Sequence, residues 1–143
     1  MDKISNNKNK INILHFNDVY ELDMLNHFVY NFKKHDKGHL KLFSGDVFSP
    51  SIASNFFKGQ QFIKPLNQLN VDVACVGNHD LDFGTDHLKM LVSQLKFPWL
   101  LSNLRFRGGA IISGTKDFHV IEHNGIKVGF IGLAAQEWID QGY

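Results

Sequence analysis

The stretch Val71–Gly84, reading VDVACVGNHDLDFG, decides how this chain is read. Its first half, VDVACV, is short, apolar and rich in valine, the signature of a buried strand that ends at a glycine. Past Gly77 the chain turns abruptly polar, with Asn78, His79, Asp80 and Asp82 crowded together. An amide, an imidazole and two acids at one strand exit point to a polar or metallic ligand held there.

Working outward, two earlier strand signals end in the same way. Ile11–Phe16 (INILHF) runs into Asn17-Asp18-Val19-Tyr20, and His39–Phe43 (HLKLF) runs into Ser44-Gly45-Asp46-Val47-Phe48-Ser49-Pro50. Trp99 to Leu101 reads as a fourth strand, with Asn103 at its exit. Between the strands, Leu22, Leu25, Phe28, Val29 and Phe32 recur at helical spacing, with Gly38 as the stop. Ser51 to Asn70 is expected to form two short helical pieces, interrupted by Gly59 and Pro65. Thr85 is the expected cap of a helix whose Leu88, Leu91, Val92 and Leu95 share a face, ending near Phe97-Pro98. Finally, His119–Glu122 and Ile126–Leu133 flank Asn124-Gly125, a hairpin signal. Strands alternating with helices predict an α/β chain with a parallel sheet and right-handed crossovers. The strand exits then share one rim, which brings Asp18, Asp46, Asn78 with His79, and Asn103 together.

Composition bounds the partners. At 143 residues the chain is of single-domain size, and 43% hydrophobic against 20% charged residues is ordinary for a globular protein. Lys plus Arg at 15 against Asp plus Glu at 14 gives a net charge of +1, which supplies no case for nucleic acid or an anionic membrane as partner. The single cysteine, Cys75, forbids an internal disulfide and a thiolate zinc site. The opening MDKISNNKNK lacks a secretory apolar stretch, and nowhere do 18 apolar residues run together, so the expectation is a cytoplasmic chain without a membrane segment. Met1–Lys10 is expected to be a flexible polar tail, leaving residues 11–143 as the folded part. Nothing in the sequence sets the oligomeric state.

The converging side chains form a mixed oxygen and nitrogen set, suited to divalent Mg, Mn, Zn or Fe. A carboxylate such as Asp46 can bridge two ions about 3.5–4 Å apart, and metal-bound water of pKa about 7 supplies hydroxide, so no side-chain nucleophile is required. Taken singly, Asp18 and Asp46 are ordinary turn or helix-start residues, and a lone His79 is most often structural. Turn chemistry does not ask for all of them with Asn78 and Asp82 on one rim.

The runs ILHFNDVY, SGDVFSPS and GNHDLDFG, with weaker echoes in LLSNL and GFIGLAAQEW, resemble the calcineurin-like binuclear metallophosphoesterases, specifically their 5'-nucleotidase group. The resemblance implies the first half of a four-layer α/β/β/α sandwich, with a mixed, mainly parallel sheet and flanking helices. It implies metal-dependent hydrolysis of a phosphomonoester, a nucleotide or other small phosphate ester, by metal-activated hydroxide, with two divalent metal ions (Mn, Mg, Zn or Fe) as cofactors. On that likeness Asp18 ligates the first metal, Asp46 bridges and Asn78 ligates the second. His79 faces the substrate phosphate, Asp82 pairs with it, and Asp80 stands where the group usually has Glu, in a supporting role. Tyr20, Asp80 and Asn103 are further candidates for a metal ligand or a contact that supports one.

Two departures from the group stand out. Its first motif normally reads Asp-x-His, and here the third position is Tyr20, whose phenol, of reference pKa about 10, is a poorer ligand than imidazole. Some members that look like sugar-phosphate or phosphoglycerate-glycoside phosphatases also carry Tyr there. The later lone histidine and Gly-His-x-His run do not occur before Tyr143, and His119 and His123 match neither. Residues 11–143 therefore read as an incomplete N-terminal part of a catalytic domain, with an uncovered sheet face, an open edge and marginal solubility. A second reading follows: a truncated or degenerate, non-catalytic chain that binds metal or phosphate weakly. Among the remaining residues, His15 is expected in the core or against a ligand, His27, His35, His39 and His87 in solvent, and Glu137, Trp138 and Asp140 stay unassigned.

Overall fold

The computed structural model describes residues 10–140. Strands β1 (Ile13–Phe16), β2 (Leu40–Phe43), β3 (Val73–Cys75) and β4 (Trp99–Leu100) pair in chain order into one parallel sheet. Parallel neighbours require crossovers, and each crossover here is helical. Helix α1 (Leu22–His35) buries Leu25, Val29 and Phe32, and its last turn carries Lys33, Lys34 and His35, the charge sign that suits a helix C-terminus. Phe16 joins this helix to the sheet: its ring lies 4.7 Å from Phe43, 5.0 Å from Phe28 and 6.0 Å from Phe32.

The next crossover begins at Ser51, whose hydroxyl accepts the Ser54 N–H at 3.0 Å and caps α2 (Ile52–Phe57). Lys58 and Gly59, at φ 48° and 86°, end it. A turn of 3-10 helix follows, and α3 (Ile63–Leu69) completes the segment. Two pieces were expected, but Pro65 does not separate them. It sits in the first turn of α3, where its missing N–H goes unused, and the break falls at Lys58-Gly59 instead. In α4 (Thr85–Val92) Gly84 occupies the cap position and Thr85 is already helical, without a side-chain cap, so the expected Thr85 cap is corrected. That helix stops at Ser93, short of Phe97-Pro98.

Trp99 anchors the core. It is fully buried, stacked at 5.3 Å on Phe48 and 6.3 Å on Phe97, with Phe43 edge-on at 5.8 Å. Burying an aromatic side chain of this size contributes roughly 2–3 kcal/mol by transfer alone. Strands β5 (Phe118–His123) and β6 (Ile126–Ile131) form a separate antiparallel pair across Asn124 and Gly125, at φ 54° and 78°, the left-handed pair of a tight hairpin. A four-residue helix, α5 (Glu137–Asp140), closes the described chain.

A sheet ordered as the chain runs, with crossovers of one hand, places its helices on one face. On β1 the opposite face carries Ile13 and His15, both exposed. His15 is therefore not a core residue; it pairs with the Ser44 hydroxyl at 2.7 Å. Phe118, Val120, Ile131 and Leu133 are also exposed on the hairpin segment. The architecture is the α/β class with a parallel sheet flanked by helices. Apart from Lys10, the expected N-terminal tail lies outside the described residues. Among those residues no helix is long and apolar enough to cross a membrane.

Candidate active site

The polar exits of β1, β2 and β3 are tied directly to one another. Ser44 N–H donates to Phe16 O at 3.0 Å, Asp18 N–H to Gly45 O at 3.1 Å and Val19 N–H to Asp46 O at 3.0 Å, fixing the first exit to the second. His79 N–H donates to Asp46 Oδ1 at 2.9 Å, fixing the second to the third. Neighbouring parallel strands make this possible, because three consecutive exits leave the same edge. Asp18 and Asp46 are held at φ 57° and 64°, the left-handed region that non-glycine residues seldom adopt. Asp tolerates it better than most residues, and strain of this kind gathers at functional positions.

Asp18 is exposed, and both its carboxylate oxygens accept bonds from close neighbours in sequence. Tyr20 O–H donates to Oδ1 at 2.7 Å, and Asn17 Nδ2–H donates to Oδ2. Burial raises the Tyr20 phenol well above its ordinary value, reinforced by that bond to Asp18 and by the charge of Asp46. Tyr20 thus stays a neutral donor. Burial likewise raises the Asp46 carboxyl; the His79 amide and ring oppose this, while Asp18 and Asp82 add to it.

His79 and Asp82 face one another, with Nδ1–H donating to Oδ2 at 3.0 Å; the carboxylate fixes the ring and leaves Nε2 available. The Tyr20 ring meets the His79 ring edge-on at 6.0 Å, so the first and third exits touch through side chains as well. Asn78 opens the 3-10 turn Asn78–Leu81, half-buried beside His79.

The two remaining candidates are occupied elsewhere. Asn103 spends its whole carboxamide on Ala134, donating to its carbonyl and accepting its N–H, each at 2.8 Å. This ties the exit of β4 to the chain after β6. Asp80 is 1% exposed, and its oxygens accept four backbone N–H groups, from Gly77, Asp46, Val47 and Phe48. Burial pushes its carboxyl up to about 6, while the same N–H groups pull it down.

Sequence reasoning missed how tightly the second and third exits interlock. A Cβ on Gly45 would lie 2.2 Å from Gly77 N, and one on Gly77 would lie 2.1 Å from Asp46 Oδ1. The available signal was a glycine immediately before Asp46 and another immediately before Asn78. Ser102 was missed as well; its hydroxyl accepts the Gly132 N–H at 2.9 Å and donates to Asp117 O.

Whether this rim suits metal ions turns on its donors. Among the described residues no group of three or more His, Cys, Asp or Glu side chains is placed to hold one. Asp18 and Asp46 supply two carboxylates, and the Asn78 carboxamide, outside that residue set, supplies a third hard oxygen donor. Among the described residues no lysine or arginine pairs with either aspartate. An Asp46 carboxyl raised by burial and by the charges of Asp18 and Asp82 fits a divalent ion chemically, and three donors make only part of a coordination shell.

No protein-family model matches the chain. Over 102 residues, 68% of this chain, it is 35% identical to a snake venom 5'-nucleotidase of Crotalus adamanteus, covering 17% of that protein. Over 113 residues, 76% of this chain, it is 31% identical to the 5'-nucleotidase of Rattus norvegicus, covering 20% of it. The chain thus spans about a fifth of the length of these relatives. In fold it is similar to the NAD nucleotidase of Haemophilus influenzae, with TM-score 0.72 and 21% identity over 90% of this chain and 27% of that one. The calcineurin-like phosphoesterase YfkN of Bacillus subtilis aligns with TM-score 0.71 and 18% identity over 92% of this chain and 50% of that one. By sequence the chain is thus similar to an N-terminal part of the 5'-nucleotidases, and its fold is that of the nucleotidases and calcineurin-like phosphoesterases.

Proposed function

We propose that this chain carries the N-terminal part of a site that hydrolyses a phosphomonoester, with a nucleotide or another small phosphate ester as substrate. The observation that supports it best is the joining of three strand exits into one rim. That rim presents Asp18, Asp46 and the His79–Asp82 pair, and direct hydrogen bonds hold it together. Asp18, Asp46 and Asn78 are the residues that would hold divalent ions, which when bound supply Lewis acidity and lower the pKa of water.

The chain's own residues do the rest. Asp82 holds the His79 ring by Nδ1, and in the imidazolium form of the ring Nε2–H donates to a phosphate oxygen or to the leaving oxygen. The His79 backbone N–H keeps Asp46 turned toward the same edge. Tyr20, a neutral donor, restrains Asp18. The names of the relatives favour a nucleotide; the Tyr in the first motif favours a sugar phosphate or phosphoglycerate glycoside as the alternative substrate.

The test is hydrolysis of p-nitrophenyl phosphate with added Mn2+ or Mg2+, beside the variants Asp46→Asn and His79→Ala. The proposal requires turnover that falls at least a hundredfold in each variant. Turnover insensitive to both would sink the assignment. The second reading, a binder without catalysis, draws on Asp18, whose two oxygens are already engaged by Tyr20 and Asn17. It predicts Mn2+ binding with no turnover.

A further inference from the structure

We infer that Asp80 is a positioning residue for this site: its carboxylate fixes the Asp46 segment against the Asn78-His79 segment. Three observations carry the inference. First, Asp80 is the most deeply buried acid of the cluster, and backbone N–H groups take both its oxygens. Second, only one of its four bonds is local. Oδ2 accepts Gly77 N–H at 2.9 Å, the ordinary bond at the start of a short helical turn. The other three reach a segment more than thirty residues earlier: Asp46 N–H to Oδ2 at 2.9 Å, and Val47 and Phe48 N–H to Oδ1 at 3.0 and 3.2 Å. Third, Gly45 and Gly77 have no room for a side chain because the two segments lie against one another.

A carboxylate accepts N–H groups at both oxygens and an amide at only one: whichever way an Asn is turned, its NH2 is set against two of these four donors. Loss of the charge therefore loosens the Asp46 backbone relative to His79, and with it the His79 N–H bond to Asp46 Oδ1. The inference rests on the phosphoesterase reading only for what the two segments do. The clamp itself belongs to the chain alone.

The experiment is backbone amide exchange, followed by NMR on the full chain, in Asp80→Asn and in Leu66→Ala, a buried core change away from the rim. At matched global stability, Asp80→Asn should speed exchange at Asp46, Val47, Gly77 and His79 at least tenfold over Leu66→Ala, while Leu42 and Ala74 exchange alike in the two. Equal rates in both variants would overturn the inference. Should Asp80→Asn fail to fold, the wild type decides: scalar couplings across the hydrogen bonds, from the Gly77, Asp46 and Val47 nitrogens to the Asp80 carboxyl carbon, are expected, and their absence overturns it. Neither readout needs a metal or substrate, so failure of Mn2+ binding or turnover would count against the functional reading and not against the clamp.

Discussion

Gly77→Ala is the sharpest single perturbation of this site. The added Cβ would stand 2.1 Å from Asp46 Oδ1 and 2.6 Å from both Asp46 Cγ and Asp46 N, where ordinary contact begins near 3.4 Å. Something must move by about 1 Å, and the nearest movable group is the Asp46 carboxylate with its loop. Gly77 itself is extended, at φ −92° and ψ 168°, so any residue adopts its backbone and the cost is steric. Overpacking of this kind costs about 1–3 kcal/mol, or roughly 3–10 °C of melting temperature for a chain of this size. Gly84→Ala is the matched control: φ is 85° and ψ 163°, a region essentially reserved for glycine, and no atom lies within 4 Å of the added Cβ, leaving only backbone strain of roughly 1–3 kcal/mol. Urea unfolding followed by tryptophan fluorescence measures both, and Mn2+ titration of each follows the Asp46 displacement. Both should destabilise to a similar degree, and only Gly77→Ala should weaken Mn2+ binding, while Gly84→Ala leaves it unchanged. If Gly77→Ala costs no stability, or weakens Mn2+ binding no more than Gly84→Ala, the two segments do not interlock as described.

Three other perturbations probe different parts. Trp99 is fully buried, yet among the described residues its Nε1–H has no partner, so Trp99→Phe loses volume without losing a bond; it should cost less than about 2 kcal/mol, against about 3–5 for Trp99→Ala, by urea unfolding. Burial raises the Cys75 thiol from 9.0 to about 11, so an alkylating agent at pH 8 should modify it at least tenfold more slowly in the folded chain than in urea. The unfolded chain gives up that proton first, and so the Cys75 contribution to stability should fall as pH rises from about 9 to about 11; a melting temperature that rises over that window would contradict the burial. Tyr20→His replaces the donor on Asp18 with an imidazole that can ligate, and should raise Mn2+ affinity by calorimetry, whereas unchanged affinity would place Tyr20 outside the ion's reach.

Much of this was legible from local pattern. Alternating strand and helix signals, each strand ending on an acid or amide, were enough to place Asp18, Asp46 and His79 on one edge, because parallel strands leave no other arrangement for consecutive exits. The His79–Asp82 pair was what the family resemblance implied, and the two side chains do meet, three residues apart on one short turn. What stayed hidden depended on long-range fit. Asp80 reads in sequence like its neighbours, and only its burial under the Asp46–Phe48 backbone separates it from the ligand candidates. Asn103 sat at the right strand exit, but whether its carboxamide faced the rim or Ala134 was decided by where the chain returns after β6. Of the two places expected for His15, in the core or against a ligand, the core is ruled out: the ring is exposed beside the Ser44 hydroxyl, on the face of β1 away from Phe16. Of the two expected interruptions Gly59 was right and Pro65 was not, since it stands in the first turn of α3, and the Thr85 cap was misplaced by one residue, a scale that local propensity does not resolve.

The central claim is that one divalent-ion site is built where the exits of β1, β2 and β3 meet. Titrating Mn2+ into the 15N-labelled chain tests it most directly, since the paramagnetic ion broadens amides by distance. The account predicts that Asp18, Asp46, Asn78 and His79 broaden first and together, and that Asp46→Asn abolishes the effect. Broadening centred instead on His119 and His123 of the hairpin strand, or unchanged in Asp46→Asn, would contradict it.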